Sequence, residues 1–207
     1  MASSSRPLPK DFRNWQVALR HYTMVARNGA PHIGVAPTVM VKHPGVGLGI
    51  ASHSVICGLL PNERLLENKT REFKALYEEL SGVGAKQLYD AGIEYLLDYY
   101  QSADDFDPAT ITSLLPEDCE LVKALRAEPV CALVFNSFDP TESAEIGGPR
   151  CLQIEAEAEV LRAGPVYDNV WWHNTLFHGP ADEHVVIHFK HTRSWDTRFG
   201  GLQALRA

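Results

Sequence analysis

The chain is poor in the residues that would define several functional classes. It has four cysteines in 207 residues, Cys57, Cys119, Cys131 and Cys151, and none falls in a C-x-x-C pair. A disulfide framework and a cysteine zinc site are therefore unsupported, and the thiols read as reduced and mostly buried. No run of about 18 apolar residues occurs, so no transmembrane helix is expected. MASSSRPLPK offers no apolar core of a secretory signal and reads as a frayed tail, which makes the expected location cytoplasmic. The nucleophile elbow G-x-S-x-G, the Walker A loop, and a G-x-G-x-x-G that follows a strand and opens a helix are all missing. Gly45-Val-Gly47-Leu-Gly49 is followed by no helix and reads as a tight barrel bend. Basic charge is also in deficit. The net charge is -7, which disfavours a nucleic-acid partner bound through a basic surface.

What is present is a globular composition, 45% hydrophobic and 22% charged, of a length that suits one domain. The negative charge is concentrated. Residues 62–127 hold 14 acidic and 7 basic side chains, and the flanking segments balance at 12 of each.

Pattern divides the chain into three parts. His21-Tyr-Thr-Met-Val-Ala26 is rich in β formers, Arg27-Asn-Gly-Ala30 is a turn, and Pro31–Val41 reads as a second strand. After a turn at Lys42–Gly45, Gly47–Ala51 reads as a third, giving an antiparallel meander. Asp11–Leu19 fits either a short helix or a leading strand. From about Pro61 to Ala127 the chain reads as helical. Leu66, Phe73, Leu76, Tyr77 and Leu80 recur at helical spacing, with a start at Asn62 and a stop at Ser81–Gly84. Leu88, Ile93, Tyr95, Leu96 and Tyr99 mark a second helix, Leu114-Leu-Pro116 a punctuation, and Glu117–Arg126 a third helix. Strands then return. Val130–Phe135 is a continuous apolar run. Cys151–Leu161 alternates strictly, with Leu152, Ile154, Ala156, Ala158 and Val160 on one face. Pro165 reads as a break, and His184–Lys190 as a last strand. The expected fold is α+β: a six-stranded antiparallel barrel in a single domain 1–207, interrupted by a helical insertion of about 65 residues at about 61–127.

Four stretches carry a resemblance. Asn28-Gly-Ala-Pro-His32 with the following strand and Leu48-Gly-Ile-Ala-Ser52, Lys123–Pro129 leading into Val130–Val134, Arg150–Leu161, and Val185–Asp196 with Arg193-Ser-Trp-Asp196 follow one another as in the pyridoxamine-5'-phosphate-oxidase-like FMN-binding split barrels. The resemblance covers about 120 residues in two blocks, and the helical insertion has no counterpart in the simplest members. It implies a homodimer with cofactor sites at the dimer interface. FMN is the usual ligand, with deazaflavin and heme in relatives. The function it implies is that of a flavin-dependent oxidoreductase acting on a small molecule, the insertion serving as a lid or a dimer contact.

On that resemblance Ser52, His53 and Ser54 stand where relatives bind the flavin phosphate, and Lys123 and Arg126 where they supply a cation. The Arg/Lys cluster expected directly after the third strand is absent. Gln153 stands on the strand whose amides hold the flavin ring in relatives. Trp171 and Trp172 face different ways, and Trp172 is the candidate to cover a planar cofactor. Nine histidines are present, five of them within 173–191. In a heme-binding alternative, His173, His178, His184 or His188 would ligate iron, His184 and His188 sharing one strand face. No other metal site is specified. A cofactor-free module whose helical insertion docks a partner is the reading from another class.

Overall fold

A computed structural model describes residues 6–26, 35–42, 49–137, 150–180, 182–196 and 203–204. The alternation in Cys151–Leu161 produces the longest continuous ladder. Strand β5 (Arg150–Leu161) buries Leu152, Ile154, Ala156 and Ala158 on one face and turns Gln153, Glu155, Glu157 and Glu159 to the other. It lies between β4 (Val130–Ser137) and β6 (His184–Asp196). On the far side of β4 runs β1 (Thr38–Lys42), beside β2 (Ile50–Ser54). On the far side of β6 runs β3 (Thr110–Pro116), and the short β7 (Gln203–Ala204) pairs with the end of β6. The two β-rich blocks thus form one antiparallel sheet in the order β2-β1-β4-β5-β6-β3, the split barrel expected of the sequence.

The residues after β2 link the two edges of this sheet. The Val55 and Cys57 amides donate to the carbonyls of Pro37 and Val35. Gly58 and Thr112 then exchange both backbone hydrogen bonds, at 2.7 and 3.0 Å, and Ser113 Oγ donates to the Ile56 carbonyl at 2.8 Å. One stretch of chain therefore bridges β1 and β3, and Val39, Leu133, Ile154, Ile187 and Phe189 share the enclosed core. Helix α4 (Glu120–Ala127) seals part of it with Leu121, Val122, Ala124 and Leu125.

Three local readings are corrected. His21–Ala26 is not a strand: it completes α1 (Lys10–Ala26), which also settles Asp11–Leu19 as helix. Phe12, Trp15, Gln16, Leu19, Arg20 and Thr23 are buried at spacings of three and four, and this packing overrides the β preference of Tyr22, Thr23 and Val25. The meander is consequently a two-stranded hairpin, β1–β2. The Asn-Gly turn and most of the Gly45–Gly49 bend lie outside the described residues. Second, Leu114-Leu-Pro116 is not mere punctuation. It ends β3, which the helical reading of 61–127 passed over because its inward residues are mixed with Thr110, Thr112 and Ser113. Third, Pro165 does not break structure but starts α5 (Pro165–His178), where its missing N–H is no loss, after Gly164 at φ +100°.

Within 61–127 the helices form as read. Asn62 caps α2 (Glu63–Leu80) by accepting from the Leu65 amide at 3.2 Å, and α3 (Ala85–Tyr99) follows. Both pack with α5 around Phe73, which is fully buried against Tyr95, Tyr99 and His173. Helix α5 in turn lies on β3 and β6, where Val170 meets Val186. The helical layer thus covers the β3–β6 side of the barrel. No helix among the described residues is long and apolar enough to cross a membrane.

Candidate functional site

Side chains paired directly across antiparallel strands stand on the same face. The register therefore places Ser54, Thr38, Val134, Gln153 and Trp195 in one row on the outside of the barrel. Ser52, Met40, Ala132, Glu155 and Arg193 make the neighbouring row. Ser52, Ser54 and Gln153, far apart in sequence, thus share one surface. Three strand spacings separate Ser54 from Gln153, about 14 Å. Between them lie Met40, Ala132 and Val134, all half-buried. Ile50 and Val130, 53% and 58% exposed, extend the apolar margin. At the far end the Arg193 guanidinium lies 5.5 Å from the Trp195 ring centre.

The other expected binding residues lie elsewhere. His53 pairs with Val39 and so stands on the opposite face from its two serine neighbours. Lys123 and Arg126 are on α4, which packs against β1, β2 and β5, and both are exposed and engaged with acids. Lys123 Nζ lies 2.6 Å from Glu120, and Arg126 lies 2.8 Å from Glu117, which also pairs with Arg162. The Glu120 carboxylate raises the Lys123 pKa. Trp172 belongs to the helical layer, edge-on to Trp171 at 4.8 Å, 5.8 Å from Tyr77, and beneath the Lys74 ammonium.

The four candidate iron ligands divide into two pairs. His173 and His178 line a cavity between the helical layer and the barrel. His184 and His188 stand on β6 opposite Pro116 and Thr112, and His188 lies 3.9 Å from Glu159. Among the described residues no three His, Cys, Asp or Glu side chains converge as a metal site.

The cavity encloses about 270 Å³, between β3, the Ile56–Leu59 stretch, α1, α3 and α5. Sequence reading missed its most distinctive member, Arg20, which is 5% exposed. Its guanidinium donates to Gln16 Oε1 (2.6 Å), the Gln16 carbonyl (3.0 Å) and the Cys57 carbonyl (2.6 Å), and lies over the Tyr100 ring at 5.6 Å. The only sequence signal was an arginine at a core-facing helical position once α1 is extended through residue 26. Burial, with the Arg20 charge adding to it, lowers the His173 pKa to about 4, so the imidazole is neutral near pH 7. Its Nε2 is buried without a hydrogen-bond partner among the described residues. Burial likewise pushes the Cys57 thiol up to about 12, with Arg20 opposing, so Cys57 is no nucleophile.

Fold and site together define a split-barrel protein with an open polar–apolar sheet face and a separate aromatic cavity. No family model matches the sequence, and no curated protein does. Among solved structures the chain is similar to a protein related to general stress protein 26, of the pyridoxinephosphate oxidase family, from Clostridium acetobutylicum. That match has 8% identity, covers 90% of this chain and 95% of the other, and has a TM-score of 0.45. It is similar to an FMN-binding protein from Syntrophomonas wolfei at 8% identity, over 87% and 86% of the two chains, with a TM-score of 0.44. It is also similar to the heme storage protein HutZ from Vibrio cholerae at 8% identity, over 82% and 85%, with a TM-score of 0.42.

Proposed function

We propose that the protein is a flavin-dependent oxidoreductase of the split-barrel type that acts on a small molecule as a homodimer. The observation that carries this reading is the outer sheet face. Ser52, Ser54, Thr38 and Gln153 border a strip of Met40, Ala132 and Val134. An apolar strip bordered by hydroxyls and an amide suits a planar ring with polar edges.

The residues present fit such a group in part. Ser52, Ser54 and Gln153 would hold its polar atoms. A phosphate on that face would draw on the Ser52 and Ser54 hydroxyls, since Lys123 and Arg126 lie elsewhere, on α4, in ion pairs with Glu120 and Glu117. FMN, or a deazaflavin in its place, would supply hydride or electron transfer, and the chain's own residues would orient it and shape the substrate pocket. The exposed apolar margin at Ile50 and Val130 would be covered by the second copy.

The test is the absorption spectrum of the purified protein, followed by titration with FMN. A flavin band at about 450 nm, or saturable quenching of FMN fluorescence weakened in Ser54→Asp, is the expected result. A Soret band at about 400 nm would establish the heme reading instead. A colourless protein that takes up neither FMN, deazaflavin nor heme would leave the docking module as the surviving alternative.

A further inference from the structure

We propose that the cavity between the barrel and the helical layer is a second binding site, separate from the sheet face, for a compact aromatic carboxylate. Charge is the first argument. The chain carries 26 acidic residues, and residues 62–127 are its most acidic part, yet α3, which comes from that part, contributes no carboxylate to the cavity wall. Among the described residues no lining side chain is Asp or Glu, and Arg20 is the one permanent charge.

The second argument is the state of that arginine. Its hydrogen bonds go to two backbone carbonyls, a side-chain amide and the Tyr100 hydroxyl, all neutral. Among the described residues no carboxylate lies within 4.0 Å of it. A buried cation without a counter-ion is costly, and neutral acceptors recover only part of its hydration. An anion entering the cavity would complete the pair in a medium of low dielectric, where it is worth most. Of the neighbouring polar groups, Asn169 donates to Thr70 Oγ1 at 3.1 Å and Ser113 to the Ile56 carbonyl, while Asn174 and His178 also line the cavity. Arg20 is the charged recognition element, and His173 lines the same space.

The walls and the volume specify the rest of the ligand. Tyr89, Tyr99, Tyr100 and Phe177 present ring faces and edges, which favour a planar aromatic body. About 270 Å³ is at the small end of ligand cavities, enough for one or two fused rings.

The probe is 2-naphthoate, with naphthalene-2-carboxamide as its neutral counterpart, each titrated calorimetrically into the full-length protein with and without saturating FMN. The carboxylate is expected to bind at least about tenfold more tightly than the carboxamide, whether or not FMN is present. Arg20→Gln should erase that preference. Ile93→Trp, which fills the cavity and removes no polar group, should abolish binding of both probes while the circular dichroism stays native. Should Arg20→Gln fail to fold, the wild-type preference and the Ile93→Trp result decide. Absence of 2-naphthoate binding, equal affinity for the two probes, or unchanged binding by Ile93→Trp overturns the proposal.

Discussion

Arg20 Nη2 donates a 2.6 Å hydrogen bond to the carbonyl oxygen of Cys57, and so ties α1 to the stretch of chain that links the edges of the barrel. The same guanidinium holds Gln16 one turn earlier on α1. Replacing Arg20 by Met would leave the buried Cys57 carbonyl unpaired on that side. The expected loss is about 2–3 kcal/mol of stability, since hydrogen bonds to charged groups each contribute about 1.5–3 kcal/mol. Urea denaturation of the two proteins checks this, and a midpoint that does not move contradicts it.

Phe73 is the hub of the helical layer, with ring contacts at 5.1 Å to Tyr95, 5.2 Å to Tyr99 and 5.1 Å to His173. Phe73→Ala should destabilise by about 3–5 kcal/mol, the range for a fully buried aromatic. Because its contacts lie outside the barrel core, amide exchange should quicken in α2, α3 and α5 more than in β4 and β5. Uniform acceleration across both regions would show that layer and barrel unfold as one unit.

Stability should fall on acidification below about pH 6.5, where an unfolded histidine takes up its proton. His173 in the folded chain does so only at about pH 4, and burial lowers His188 and His191 in the same direction. Between those limits the unfolded state binds more protons, so stability drops as pH falls and is fully present above 6.5. The slope expected from His173 alone is about 1 kcal/mol per pH unit. Urea midpoints measured from pH 7 to pH 4.5 should show a shallower slope in His173→Phe.

Gly92 lets α3 approach α5. A Cβ built there would stand 3.0 Å from two ring carbons of Phe177. Gly92→Val should therefore cost about 1–3 kcal/mol through overpacking and push Phe177 toward the cavity. Thermal melting reads the first effect, and weaker 2-naphthoate binding the second.

On the sheet face, Met40→Glu places a charge in the apolar strip between Ser52 and Ala132. Sedimentation of the wild-type protein as a dimer and of this variant as a monomer is the expected outcome. An identical sedimentation coefficient for both would mean that this strip is no seam between copies.

The alternation in Cys151–Leu161 and the apolar run at Val130–Phe135 were enough to specify β5 and β4, because a half-buried strand must repeat every two residues. The helices α2 and α3 were legible from spacing and from the Asn62 cap. Pairing of the two β-rich blocks into one barrel was expected from six strands in two blocks and from the resemblance to known split barrels.

Other features had no local signature. Residues 21–26 are β formers in isolation, and only burial against the core makes them helix. Thr110–Pro116 is half polar, and becomes a strand because β6 and the Gly58 backbone satisfy its hydrogen bonds. Ser52, Ser54 and Gln153 could be named from the chain, but strand register decides that they share a face and that His53 does not. The cavity was wholly a tertiary result. Arg20, Cys57, Tyr100 and His173 are scattered over more than 150 positions, and α1, α3, α5, β3 and the Ile56–Leu59 stretch bring them together around one cavity. Sequence fixes which residues prefer water and with what period. Which buried charge meets which void depends on long-range contacts that no local period encodes.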